Sequence, residues 1–250
     1  MKLIIWIVSL AALGLALAIA VAGPGVRLGL WEYPMGFTII RNAAMPVAIA
    51  AVASGLGFVA ALFVARGVAI IPLIAAIAAG TAALVPVKMK EAVDAHPFIH
   101  DITTDFDNPP PIVKGADAER KNPPEYVGDE AAPRSELTVA EAQRAAFPDI
   151  EPFMTAQSVD EAAQRAAAVI EKMGMTLIAE GPTESGGRLI EAKHTSLWFG
   201  FIDDFIVRIE PAGEGARIDV RSKSRVGGSD LGANAKRVRA FMEKYRAAES

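Results

Sequence analysis

The chain of 250 residues contains no cysteine. That excludes a disulfide-stapled scaffold, a thiolate zinc or iron–sulfur centre and a cysteine nucleophile. Histidine is scarce, with only His96, His100 and His194, so candidates for a general base are few. Positive charge is not in excess either. Lys and Arg total 25 against 29 Asp and Glu, a net charge of -4, which disfavours a general nucleic-acid binder. Charge is almost missing from residues 3–87, which carry Arg27, Glu32, Arg41 and Arg66 and no other charged side chain. The averages of 52% hydrophobic and 22% charged therefore join two chemically different parts.

What fills the first part is long apolar runs. Leu3 to Ala22 is 20 residues without a charge, enough to cross a hydrocarbon core of about 30 Å as a helix. A cleaved signal peptide is the competing reading, because Lys2 gives a positive start. The run is longer than the usual apolar region of about 7–15 residues in such peptides. Gly23-Pro24-Gly25 is expected to stop this helix. Met45 to Ala65 and Val68 to Val87 are the second and third runs, separated only by Arg66-Gly67, so a tight helical hairpin is expected. Both are rich in small residues, Ala and Gly with Ser54 in the second and Ala with Gly80 in the third, which let helices approach closely in lipid. No ionisable residue lies inside a span, which disfavours an ion pump, proton relay or voltage sensor. Between the first two spans, Trp31, Tyr33 and Phe37 lie between Arg27 and Arg41, as in an interfacial aromatic belt. Three spans put the termini on opposite sides. Lys2 and Arg66 share one side, and Arg27, Arg41, Lys88 and Lys90 the other. This charge count leans towards a cytoplasmic carboxy-terminal part.

From Glu91 to Glu161 there are 16 acidic and five basic residues, with Pro97, Pro109, Pro110, Pro111, Pro123, Pro124 and Pro133 breaking any long helix. Residues 89–136 therefore read as a Pro-rich acidic connector, extended and solvated. One stretch resists that reading. His96-Pro97-Phe98-Ile99-His100-Asp101-Ile102-Thr103-Thr104-Asp105 mixes aromatic, aliphatic and titratable residues. His100, Asp101 and Asp105 are weak metal-ligand candidates, with capped turns as the plainer reading.

Residues 137–250 read as a small α+β domain following the transmembrane module at 1–88. Thr138-x-x-Glu141 and Ser158-x-x-Glu161 are capping boxes, each starting a helix. Strand-like runs follow at Met175–Glu180, Arg188–Thr195, Asp203–Glu210 and Ala216–Ser224. The last two alternate apolar and charged residues, which implies one buried and one wet face. A final helix is expected from about Ser229 or Asp230, with Leu231, Ala235, Val238, Met242 and Tyr245 on one stripe. The expected architecture is three transmembrane helices plus a two-layer α+β domain, a four-stranded antiparallel sheet with two packed helices.

Chemistry could gather where the last strand turns into the last helix. Arg225 to Arg237 runs through glycines, and backbone N–H groups at a helix N-terminus suit anions. Asp230 reads more simply as a cap. Arg221, Lys223, Arg225, Lys236, Arg237, Arg239, Lys244 and Arg246 make this end basic, against Asp230, Glu243 and Glu249. Anionic headgroups would suit it, although a solvated helix face accounts for it as well. Asp203 and Asp204 are adjacent on a strand and so point to opposite faces. Asp204 is expected to pair with Arg208 or Arg225.

The pattern Phe201-x-Asp203-Asp204-Phe205-x-Val-Arg208, then Asp219-x-Arg221-Ser-x-Ser224-Arg225-x-Gly227-x-Ser229-Asp230-x-Gly232-x-Asn234-x-x-Arg237, resembles the bacterial and plastid domain-of-unknown-function family 1499. Gly25-x-x-x-Gly29-Leu-Trp-Glu-Tyr-x-x-Gly36-Phe and the Pro97 to Asp105 segment resemble its multi-span members. The resemblance brings no activity. It implies an exported domain, opposite to the charge count, so an extracytoplasmic domain is expected. Relatives often carry a Cys pair ahead of the domain, which this chain lacks.

The expected function is an uncharacterised integral protein of an inner or plasma membrane, part of a bacterial envelope, presenting a binding or scaffolding domain at the membrane surface. Its expected partners are the lipid bilayer and a membrane protein or anionic lipid. Neither nucleic acid nor a cofactor is expected, and no catalytic residue is assigned. The alternative is an enzyme or small-ligand domain whose polar site draws on Asp204, Arg208, Arg225, Ser229, Asp230, Asn234 and Arg237.

Overall fold

A computed structural model describes residues 1–248, so Glu249 lies outside the described residues. The chain forms two compact units, Met1–Glu91 with Leu197–Gly200, and Ala92–Ser196 with Phe201–Ser250.

The first unit is built on α1 (Lys2–Arg27), α2 (Tyr33–Val64) and α3 (Ile70–Ala95), of which α3 runs past the unit's end at Glu91. Each is long and apolar enough to cross a membrane. Small residues carry the contacts. Ala12, Ala43, Ala75 and Ala79 are buried with Ile19 and Val47 in one cluster, as expected where close backbone approach replaces hydrophobic drive. A short 3-10 turn at Arg66–Val68 connects α2 to α3, but the close backbone approach runs along α1 and α2 and not along the α2–α3 hairpin expected from the sequence. One expectation fails: Pro24 does not end α1 but lies inside it, and the helix continues to Arg27. Both α2 and α3 also extend beyond the uncharged runs, α2 back through Arg41 to Tyr33 and α3 on through Lys88 to Ala95.

The second unit is an antiparallel sheet with helices on one face. Its strands are β1 (Asp101–Thr103), β2 (Phe153–Thr155), β3 (Thr176–Pro182), β4 (Arg188–Thr195), β5 (Ile202–Ala212) and β6 (Gly215–Ser224). The sheet has six strands, not four. The order is β1-β6-β5-β4-β3, with β2 also paired to β6. The two additional strands have three residues each, too short to show a period. They share one edge of β6, β1 opposite Arg221–Lys223 and β2 opposite Ala216–Ile218. At the other edge β3 is exposed. A bulge between Leu177 and Ala179, together with Glu180 and Pro182, makes it a poor template for further strands.

The helices are α4 (Val139–Ala146), α5 (Val159–Lys172) and α6 (Ala233–Ala247). Both capping boxes form, with Thr138 and Glu141 at α4 and Ser158 and Glu161 at α5. Gly174, at φ 72, supplies the left-handed residue that follows α5. Ala162, Ala166, Val169 and Ile170 of α5 and Ala235, Val238, Phe241, Met242 and Tyr245 of α6 are buried with Phe205, Val207, Ile209, Ile218 and Val220 of the sheet. Leu231 lies before α6 and outside this core.

The opposite face of the sheet is not wet. Asp204 to Arg208 in β5 and Asp219 to Ser224 in β6 are buried without a break. The covering comes from the segment that reads as a connector, which lies on the domain as a strap. Ser158→Ala removes the acceptor for the Glu161 N–H. It is expected to lower the stability of α5 by about 1 kcal/mol, read as faster amide exchange along Val159–Lys172 in the full-length protein.

Candidate functional site

Alternation along β5 and β6 sends a row of charged side chains into the covered face. They form three adjoining clusters. In the first, β1 places Asp101 opposite Lys223. Arg221 donates to both Asp101 oxygens at 2.9 and 2.8 Å, and Lys223 Nζ lies 2.9 Å from the same carboxylate. All three side chains are at most 2% exposed. Further donors meet backbone carbonyls of the strap: Arg221 reaches Pro110 and Pro124, and Lys223 reaches Glu125. Burial pushes the Lys223 ammonium below the usual lysine range, and Asp101 opposes that shift.

In the second cluster Arg225 donates twice to Asp204, and Arg120 of the strap approaches the other carboxylate oxygen at 3.1 Å. Asn122 then ties the strap to the carbonyls of Ser224 and Gly227. Nearby Glu191 of β4, buried, accepts the consecutive N–H groups of Val113, Lys114 and Gly115 at 2.8 to 3.1 Å. Successive backbone N–H groups around a carboxylate form an anion-binding nest. In the third, Asp105 and Asp219 alternate with Arg208 and Arg217, each contact between 2.9 and 3.2 Å. Burial raises the Asp219 carboxyl, while Arg208 and Arg217 pull it down.

A fourth polar group lies on the helix-bearing face. Arg237 of α6 donates to Asp203, Asn234 and Ser222 and contacts His194 Nδ1 at 3.0 Å. Asn234, buried, donates to His100 O and Ser224 Oγ and accepts from Ser222. Asp230 accepts from the N–H groups of Gly232 and Asn234, and Ser229 Oγ from that of Leu231. Burial lowers His194, with Arg237 adding to the effect. Burial also pushes the Asp230 carboxyl up to about 6, against the two N–H bonds it accepts.

The residues singled out from the sequence are therefore dispersed. Ser229, Asp230, Asn234 and Arg237 share the start of α6. Asp204 and Arg225 lie on the opposite face of the sheet, and Arg208 lies at the Asp105–Asp219 cluster. A cleft of about 460 Å³ lined by Phe106, Asp107, Tyr126, Asp129 and Arg144 contains none of them. One of about 350 Å³ beside Arg217 and Glu210 contains only Arg208. His100, Asp101 and Asp105 do not converge. Asp101 is held by Arg221 and Lys223 and Asp105 by Arg208 and Arg217. Among the described residues no group of three or more His, Asp or Glu side chains is placed to hold a metal. The basic end is not one surface, since Arg221, Lys223 and Arg225 are buried while Lys236 and Lys244 are exposed on α6. Sequence reasoning missed Arg120, Asn122, Gln143 and Glu191. Their only trace in the sequence is the charge left uncompensated on the second face of β5 and β6.

Asp101→Asn leaves two buried cations facing a neutral amide and is expected to cost about 3–5 kcal/mol. Lys223→Met keeps the two-pronged Arg221 pair and is expected to cost clearly less. Chemical unfolding of the full-length variants compares the two, and equal losses would contradict the assignment. Asp230 has a second readout. Its folded-state carboxyl lies above the unfolded value of 3.8. Its contribution to stability is therefore fully present below that value and lost as pH rises through about 6. Relative to Asp230→Asn, the natural protein is expected to lose stability between about pH 4 and about 7. A pH-independent difference would place this carboxyl in the ordinary range.

Residues 101–245 match the model of a family described as Protein of unknown function (DUF1499). No curated protein and no solved structure matches. The matched span runs from the first residue of β1 to Tyr245 in α6, so it takes in the strap as well as the sheet and helices. It covers more than half of the chain, and the chain belongs to the DUF1499 family.

Proposed function

We propose that this protein is anchored in a membrane by α1–α3 and presents its α+β domain at the membrane surface as a binding or scaffolding module. One observation carries the reading. Most polar side chains of the Asp203-to-Arg237 pattern spend their donors and acceptors inside the domain, on each other, on backbone carbonyls and on helix-capping N–H groups, with the buried Arg208 Nε left over. A catalytic set needs a nucleophile or acid–base group left free to meet substrate. Here the same residues hold a rigid scaffold. A ligand site spread over Asp204, Arg208, Arg225 and Arg237 is disfavoured, because these side chains point to both faces of one sheet.

A membrane protein is the favoured partner over anionic lipid, because the basic residues at the carboxy-terminal end are divided between buried pairs and α6. Photocrosslinking from exposed positions of α6, such as Lys236 and Lys244, is expected to capture the same membrane protein in repeated preparations. Capture indistinguishable from that of an unrelated anchored domain would sink the reading. The domain is placed on the extracytoplasmic side. A phosphatase that folds only outside the cytoplasm, fused after Ser250, is expected to be active, whereas activity of a cytoplasm-only reporter there would reverse the orientation.

A further inference from the structure

Pro24 sits inside α1. Proline lacks an N–H, so the carbonyl four residues earlier, that of Ala20, loses its helical donor. Within the first unit that donor is replaced. Trp198 Nε1–H donates to Ala20 O at 3.2 Å. The indole lies on Gly23, where a Cβ would come within 2.6 Å of it. Phe199 stacks on Phe37 with ring centroids 5.0 Å apart, and a Cβ on Gly36 would come within 2.9 Å of the Phe199 ring. Arg27 donates to the carbonyl of Leu197 at 2.6 Å. Two glycines, one orphaned carbonyl and one guanidinium thus form a built seat for the segment Leu197–Gly200.

The seat lies at the end of α1 where Trp31 also donates to a helix carbonyl, that of Ala22. Around it large apolar side chains face outward: Leu197 is 88% exposed, Leu28 73%, Leu30 67% and Met35 53%. Along the chain Leu28, Leu30 and Met35 lie between Arg27 and Arg41. Trp6 lies 14 residues before Ala20, about 21 Å along the helix axis. A span entered near Lys2 therefore has Trp6 close to one boundary and the Trp31–Trp198 pair close to the other. An indole with an apolar body and a hydrogen-bonding edge suits that zone.

We infer that Leu197–Gly200, the turn between β4 and β5, is itself a membrane-contacting element. It inserts Leu197 and one edge of Trp198 into the boundary between headgroups and acyl chains, beside the end of α1. The inference rests on the reading of α1–α3 as spans, and the test separates the two. Full-length protein carrying Trp6→Phe and Trp31→Phe retains Trp198 alone. In phosphatidylcholine bilayers brominated near the top of the acyl chains, its fluorescence is expected to fall at least twofold relative to unbrominated lipid. The companion chain with Trp31→Phe and Trp198→Phe retains Trp6 alone and reports on α1. Quenching at Trp6 without quenching at Trp198 overturns the inference and leaves the anchor standing. Absence of quenching at Trp6 overturns both. Because the chain has no cysteine, Leu197→Cys can carry a single nitroxide with every tryptophan in place. Oxygen is expected to relax it more than an aqueous nickel chelate does. Greater relaxation by the chelate, or protection from both reagents, overturns lipid contact in favour of water or a protein cover.

Discussion

The second unit depends on one buried charge cluster, Asp101 with Arg221 and Lys223. Two cations and one anion removed from water are costly unless every remaining proton finds an oxygen. The carbonyls of Pro110, Pro124 and Glu125 supply three such oxygens. The strap is therefore part of the solution to burying the charges. A Pro-rich chain suits the role, since it forms no helix to tie up its own carbonyls. Glu191 does the converse work, taking three strap N–H groups that would otherwise be orphaned under cover.

Such a layer adds little net stability over an apolar one, but it discriminates strongly against misplacement. A strap shifted by one residue would break several ion pairs and hydrogen bonds together, whereas an apolar strap could slide. Gln143 of α4 shows the same economy at smaller scale. Its amide both donates to and accepts from the backbone of Thr103, closing the free side of β1 as a further strand would. The residues that carry the resemblance to the family are, on this geometry, residues that hold the domain in one arrangement.

The first unit poses the opposite problem. It has almost no charge to place and must satisfy its backbone inside apolar surroundings. The ladder is interrupted at Pro24, and the repair comes from a residue remote in sequence, Trp198. Glycine at positions 23 and 36 is required there for closeness, not for backbone freedom.

Periodic elements were legible from the sequence. The apolar runs exceed the length of a span, the two capping boxes mark the starts of α4 and α5, and period-two alternation marks β5 and β6. Each rests on interactions among residues close in the chain. The strands β1 and β2 were not legible, because three residues carry no period and each exists only through pairing with β6. Nor was the covered second face, because charged alternation normally means water. The candidate site residues were named from the sequence, but where each one lies was not legible there. Alternation separates Asp203 from Asp204, yet only the fold brings Arg120 to Asp204 and Asp105 to Arg208. The sequence by itself determined the apolar helices, the helix starts and the alternating strands, since those follow from local periodicity and backbone chemistry. The tertiary structure alone decided where each charge goes. A buried charge is tolerable only beside its partner, and the partners lie up to about 120 residues away.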